Sequence, residues 1–337
     1  MDANGTANDN VAAAMAITNG DTRRRKDKTV TMNDSITPLE IAKDQPCFVR
    51  TPLLDDVVNR TLVYLAAGFP VQLTGPAGTG KTSLALYVAA QVGRPVVIIH
   101  GDEELGTSDM VGGNYGLRHR KIVDNFVHSV KKLDDTVEST WVDNRLTVAC
   151  KYGFTLIYDE FTRSRAEANN ALLSVLEEGV LDMPAGRGEE SFLRVHPNFR
   201  AIFTSNPLEY AGVHRASDAL QDRMITIHLG HHDRETEIAI TATKSGLDKK
   251  SAGRIVDIVR GFRDIREANQ ENYGICPTIR ASIMIATVLK AYSAKPDLKD
   301  ENFVQLCHDV LGSSRWDGAP NPVMKGDIET VIRKHAA

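Results

Sequence analysis

Residues 75–82 form a glycine-rich stretch between an apolar run and a helical pattern. The stretch reads Gly75, Pro76, Ala77, Gly78, Thr79, Gly80, Lys81, Thr82. Glycines let successive backbone N–H groups turn inward around phosphate oxygens, while such a lysine reaches the β and γ phosphates and the threonine hydroxyl can hold Mg²⁺. A helix beginning near Lys81 adds its positive dipole end. These eight residues are therefore predicted to bind a nucleoside triphosphate, although a chance match in a glycine-rich turn is the alternative.

Two adjacent carboxylates, Asp159 and Glu160, follow the apolar run 154–158. Acids at the end of a buried strand require a partner, and the ends of neighbouring parallel strands open onto one crevice. Asp159 is therefore predicted to bind Mg²⁺ together with Thr82, and Glu160 to polarise the attacking water. A solvated acidic pair is the alternative. A water-activating carboxylate favours hydrolysis over phosphoryl transfer to another substrate.

The composition excludes several classes of protein. Acidic residues number 44 against 40 Lys and Arg, and the net charge of −4 gives no global positive field for nucleic acid. No apolar run approaches the ~20 residues that span a bilayer. The cysteines lack Cys-x-x-Cys spacing and are expected to be reduced thiols of a cytoplasmic protein. They are Cys47, Cys150, Cys276 and Cys307.

The order of patterns predicts an α/β core followed by helices. Residues 1–45 are polar and are expected to form a flexible extension. Residues 46–230 alternate apolar strand runs with amphipathic helices, which is typical of a doubly wound parallel sheet. The strands are expected in five runs, which are 71–74, 95–99, 154–158, 199–206 and 224–228. The helices of this region are expected at 51–67, 81–92 and 166–178.

A small all-helical lid domain is predicted from 231 to 312, with Asp233 as the N-cap of its first helix. Its helices are expected at 237–243, 251–267, 277–292 and 301–310. Adjacent histidines cannot easily share one metal ion, so His231 and His232 are expected in a hinge or surface turn. Residues 313–337 carry no motif and are expected to be a tail.

Two stretches interrupt the core. Residues 105–115 are glycine-rich and precede a polar insert that runs to 147. Residues 180–184 and 191–195 flank a turn at 185–189 and are expected to pair as a β-hairpin. A solvated loop is the default for each stretch, and contact with a client protein is the alternative.

Four longer runs carry a family resemblance. They are GDEELGTSD at 101–109, CKYGF at 150–154, DEFTRSR at 159–165 and VHPNFRAIFTSN at 195–206. With the glycine loop and the helical second domain in this order, the chain resembles P-loop AAA+ ATPases of the MoxR group, and the runs are similar to the gas vesicle proteins of that group. The similarity covers roughly residues 46–295.

The resemblance implies roles for further polar residues. Asn206 would orient the lytic water with Glu160, Arg223 would be the arginine finger that enters a neighbouring subunit's site, and Arg280 would touch the γ phosphate. Arg163 and Arg165 are further candidates. Cations placed from several directions suit a transferring phosphoryl group. The alternatives are a turn cap at Asn206 and ordinary salt bridges at the arginines.

The resemblance also implies a ring, most often a hexamer, that uses ATP and Mg²⁺ to remodel gas vesicle proteins in the cytoplasm or at the vesicle. A MoxR-type activator of another client, such as Rubisco or nitric oxide reductase, is a first alternative. A second is a vesicle-bound structural component without turnover, against which Glu160, Asn206 and Arg223 speak. A DNA loader has no support from the acidic balance.

Overall fold

A computed structural model describes residues 48–124, 132–184, 191–207, 218–268, 276–312 and 322–336. Within these ranges, side chains are described except at 114–140, 218, 322–324 and 336. The expected extension 1–45, Cys47 and the turn 185–189 lie outside the described residues. The chain divides into two compact units, one containing Asp56–Thr74 and Leu84–His228 and the other containing Gly75–Ser83 and Leu229–Ala337.

Strands and helices alternate along the first two thirds of the chain. The strands are β1 (Val71–Thr74), β2 (Val96–His100), β3 (Gly112–Asp124), β4 (Lys132–Asp143), β5 (Thr155–Asp159), β6 (Val180–Asp182), β7 (Phe192–Arg194), β8 (Arg200–Ser205) and β9 (Ile225–His228). The helices are α1 (Pro52–Ala66), α2 (Lys81–Val92), α3 (Thr107–Val111), α4 (Arg145–Tyr152), α5 (Ala166–Asn169), α6 (Ala171–Glu177), α7 (Asp218–Gln221), α8 (Arg234–Ser245), α9 (Lys249–Ala268), α10 (Ile279–Ala291), α11 (Glu301–Gly312) and α12 (Pro322–Ala336).

The main sheet is parallel and has the order β2-β5-β8-β1-β9, which confirms the predicted fold class. Every residue of β1 and β5 is buried. Strands covered on both faces read as continuous apolar runs, and this is the pattern that predicted them. The aromatic rings of Tyr158, Phe161 and Phe203 pack together beneath the carboxyl ends of β5 and β8. The sheet therefore fixes where the residues after these strands lie.

The predicted hairpin of β6 and β7 is confirmed, since Leu181 pairs with Leu193. The polar insert is not a loop: β3 and β4 form an antiparallel two-stranded ribbon. In its register Arg118 pairs with Glu138 and Lys121 pairs with Asp135. The expected helix 166–178 is broken, because α5 ends at Asn169 and α6 begins at Ala171.

The helices of the second unit pack around their own apolar core. Phe262 of α9, Leu289 of α10 and Phe303 of α11 are fully buried in it. Asp233 caps α8 by accepting the Thr236 N–H at 3.2 Å, as predicted. α12 contributes Ile328, Val331 and Ile332 to the same core, so the expectation of a tail is wrong for residues 322–336. No helix in the described ranges is long and apolar enough to cross a membrane.

Candidate nucleotide site

Asp159 ends β5 and is held there by polar neighbours. The residue is only 9% exposed. The Thr204 hydroxyl of β8 donates to Asp159 Oδ1 at 2.6 Å, and His100 Nδ1 lies 3.7 Å from Oδ2. A buried carboxylate needs such partners, because an unpaired charge is costly away from water. The arrangement fixes one hard oxygen ligand at the carboxyl edge of the sheet.

Glu160 has a left-handed backbone, with φ 53° and ψ 39°. This conformation costs a residue with a side chain about 1–2 kcal/mol, and strain of this kind concentrates at functional sites. The Glu160 N–H donates to Thr204 Oγ1 at 2.9 Å, and the Glu160 carbonyl accepts the Arg163 N–H at 2.9 Å. A Cβ at Gly101 would lie 2.1 Å from that carbonyl, so only glycine fits there.

The Glu160 carboxylate is partly exposed and accepts from Arg163 Nη1 at 2.7 Å. Asn206 directly follows β8 and is 7% exposed. The sheet therefore brings Asp159, Glu160 and Asn206 to one edge. Sequence reasoning missed the roles of Thr204 and Gly101. The available signal for Thr204 was its place near the end of β8, two residues before the predicted sensor Asn206, on the strand that pairs with β5.

The glycine loop leaves β1 and ends where α2 begins. Gly78 and Gly80 have φ of 77° and 81°, a region that favours glycine. Lys81 Nζ donates to the carbonyls of Gly75 and Pro76, each at 2.8 Å. The N-terminal end of an α-helix such as α2 carries the positive end of the helix dipole and favours a bound anion. Loop and helix thus have the form that a phosphate chain requires.

The glycine loop belongs to the second unit, and other residues of that unit contact it. A Cβ at Gly78 would lie 2.5 Å from the Cβ and Oγ1 of Thr278, the N-cap of α10. His232 is 7% exposed, so the expected surface turn is wrong for this residue, whereas His231 is exposed. Burial lowers the pKa of His232, while Glu237 and a hydrogen bond to the Thr79 backbone raise it. Two adjacent histidines in a sequence give no sign that a distant glycine loop packs against one of them, so the burial of His232 could not be predicted.

The arginine candidates take different positions. Arg223 donates from Nε to Glu177 Oε2 at 3.1 Å and also bonds the Ala219 carbonyl. Arg280 is exposed on the first turn of α10, two residues after Thr278. Arg165 is exposed at the N-cap of α5. Their roles stay predictions.

The donor types predicted from the sequence suit Mg²⁺ bound with a nucleotide. Among the described residues no three His, Cys, Asp or Glu side chains come together as a metal site. Mg²⁺ commonly uses one or two protein oxygens with water and substrate phosphates, and the Thr82 hydroxyl and the Asp159 carboxylate are ligands of that type. A phosphate chain is therefore the partner that would complete its coordination.

Comparison with known proteins places the chain in a family. Residues 70–224 match the AAA domain of the dynein-related subfamily. The chain is 52% identical to the gas vesicle ATPase GvpN of Ancylobacter aquaticus over 80% of this chain and 74% of that protein. It is 41% identical to the GvpN of Haloferax mediterranei over 94% and 87%. Protein CbbQ of Hydrogenophilus thermoluteolus is 22% identical over 68% and 77%. The chain therefore belongs to the GvpN family of gas vesicle ATPases.

Proposed function

We propose that this chain is a Mg²⁺-dependent ATPase that assembles into a ring, a hexamer as is typical of its superfamily, and remodels or chaperones gas vesicle proteins during vesicle assembly. Membership of the GvpN family is the observation that carries the proposal, because the relatives are named gas vesicle ATPases. We place its action in the cytoplasm, in part at the vesicle. The polar residues at the sheet edge and the form of the glycine loop support hydrolysis.

The glycine loop binds the phosphates in this proposal. Backbone N–H groups of residues 75–82 and the first turn of α2 surround the phosphate oxygens. Lys81 exchanges its bonds to the Gly75 and Pro76 carbonyls for phosphate oxygens. Thr82 and Asp159 hold Mg²⁺, which neutralises charge on the phosphates when it is bound.

Glu160 and Asn206 act on the attacking water. Glu160 orients the water and accepts its proton, and the Asn206 amide holds it in line. The left-handed backbone that Thr204 anchors sets the direction in which the Glu160 side chain leaves the strand. Arg163 bonds the same carboxylate, so the carboxylate must exchange that partner for water during turnover.

Loss of the γ phosphate drives the conformational change in this proposal. Arg223 from a neighbouring subunit and Arg280 from the helical unit contact the γ phosphate in this proposal. Hydrolysis removes these contacts, and an interface with two arrangements can then change between them. This change applies force to the bound client protein.

Glu160→Gln is the test. The amide keeps the size of the side chain and cannot accept the proton, so ATP hydrolysis by the purified protein is expected to fall at least about 100-fold. ATP binding is retained. The matched control is Glu178→Gln, which removes an exposed carboxylate of the same unit. A host lacking this gene, supplied with wild type, Glu160→Gln or Glu178→Gln at matched levels, is scored for vesicles by buoyancy and electron microscopy.

Rescue by wild type and Glu178→Gln alone supports hydrolysis-driven assembly. Rescue by Glu160→Gln as well would replace the proposal with a nucleotide-gated scaffold. Rescue by none, with the ATPase intact, would point to another client.

A further inference from the structure

The glycine loop is held from two directions by residues of its own compact unit. His232 reaches it at Thr79 and Gly80, and Thr278 reaches it at Gly78. These two residues lie far apart in sequence, yet both lead back to one buried carboxylate. The polar contacts between them form two arms that meet at Glu237.

The first arm runs through His232. Its imidazole bonds the Thr79 backbone, and Nε2 is the atom nearest to a Cβ built on Gly80, at 3.9 Å. Because the bond to Thr79 favours the protonated imidazole, the imidazole donates and the carbonyl accepts. The His232 carbonyl in turn accepts from Arg260 Nη1 at 3.0 Å, and the same guanidinium nitrogen lies 3.4 Å from Glu237 Oε2.

The second arm runs through Arg263. Its Nη1 donates to Glu237 Oε1 at 2.9 Å, and its Nε donates to the Pro277 carbonyl at 2.9 Å. The next residue is Thr278, whose side chain packs against Gly78 and caps α10. One carboxylate therefore anchors both the segment before α8 and the segment before α10.

We propose that Glu237 positions the glycine loop for nucleotide through these two arms, with His232 and Thr278 as the contacting residues. This inference rests on the proposed function, because it assigns a task to the surroundings of the same loop. It makes these residues positioning residues and not catalytic ones.

The energetics favour a positioning role over a contribution to stability. Glu237 is 1% exposed and the Arg263 side chain 5% exposed, so both charges are nearly removed from water. Desolvation of a buried ion pair commonly offsets its attraction, and an apolar replacement is often neutral or stabilising. The cluster instead fixes positions. Arg260 holds the carbonyl of His232, and Arg263 holds the carbonyl of Pro277, which precedes Thr278.

The test begins with the first arm in the full-length protein. His232→Ala removes the donor to Thr79 and is expected to raise the Kd for ADP and the KM for ATP about three- to tenfold. Amide hydrogen exchange in residues 75–83 is expected to rise, while the melting temperature without nucleotide stays within error. His232→Gln is expected to restore most of the affinity, because its amide reaches as far as Nε2. His231→Ala is the matched control on the exposed neighbour.

A double-mutant cycle tests whether Arg260 and His232 act as one arm. Arg260→Gln is expected to raise the Kd for ADP as His232→Ala does, and the double variant is expected to add little, because residues of one network are not additive. Unchanged affinity in His232→Ala with a lowered melting temperature would overturn the inference, and so would full additivity. If wild type itself bound no ADP, the proposed function would fail instead, and these variants would not be the cause.

Discussion

Thr204 joins the two carboxylate residues through one hydroxyl, which donates to Asp159 and accepts from the Glu160 N–H. Thr204→Val keeps the shape and leaves both groups without that partner. The free energy of unfolding is expected to fall by about 1–3 kcal/mol, and ATP hydrolysis to fall with it because Glu160 loses its anchor. Urea denaturation and ATPase assays measure the two effects.

Thr204→Ser is the control for this prediction, since it keeps the hydroxyl and loses only a methyl group. Equal stability and activity in the valine and serine variants would contradict the role given to the hydroxyl.

At the scale of elements, α12 belongs to the core of the second unit. Ile332 is fully buried, whereas the next residue, Arg333, has a side chain that is 71% exposed. Ile332→Ala is expected to lower the free energy of unfolding by about 2–5 kcal/mol, through lost burial and the cavity that remains. Arg333→Ala is expected to be nearly neutral, because an exposed pair with Glu329 contributes little. Chemical denaturation of both variants is the measurement, and equal effects would show that α12 does not pack as described.

The elements that sequence could predict are those whose signal is local. Apolar runs marked the parallel strands, and short motifs at the carboxyl ends of β1, β5 and β8 led to the predictions of a phosphate loop, two functional acids and a polar sensor. The ribbon of β3 and β4 was missed, because its strands are polar and their pairing is not local. The break after α5 adjoins Asn169, which accepts a hydrogen bond from the Tyr158 hydroxyl at 3.0 Å, a contact that no spacing shows. The burial of His232 and of α12 likewise depends on tertiary packing.

At the scale of the whole assembly, the proposed ring makes Arg223 a group that serves the next subunit. A finger in trans predicts that Arg223→Ala and Glu160→Gln are each nearly inactive alone and recover activity when mixed. Random mixing in equal amounts gives about a quarter of the interfaces an intact Glu160 and an intact Arg223 from different subunits, as expected for head-to-tail contacts. Steady-state ATPase after mixing is the measurement.

Glu177→Ala is the control, because it removes the partner of Arg223 within the chain and leaves the guanidinium in place. If Glu177→Ala were as inactive as Arg223→Ala, or if the mixture stayed inactive while still assembling, Arg223 would act within its own subunit.

On the proposed mechanism, the left-handed backbone at Glu160 lowers stability at a residue that turnover requires. Glycine adopts the left-handed region freely, so Glu160→Gly relaxes the backbone while deleting the carboxylate. If Glu160 has its proposed role, a laboratory evolution experiment that selects only for survival at high temperature is expected to enrich Glu160→Gly variants that no longer hydrolyse ATP. A selection that scores floating cells keeps the glutamate, and any extra thermal resistance must then arise elsewhere in the chain.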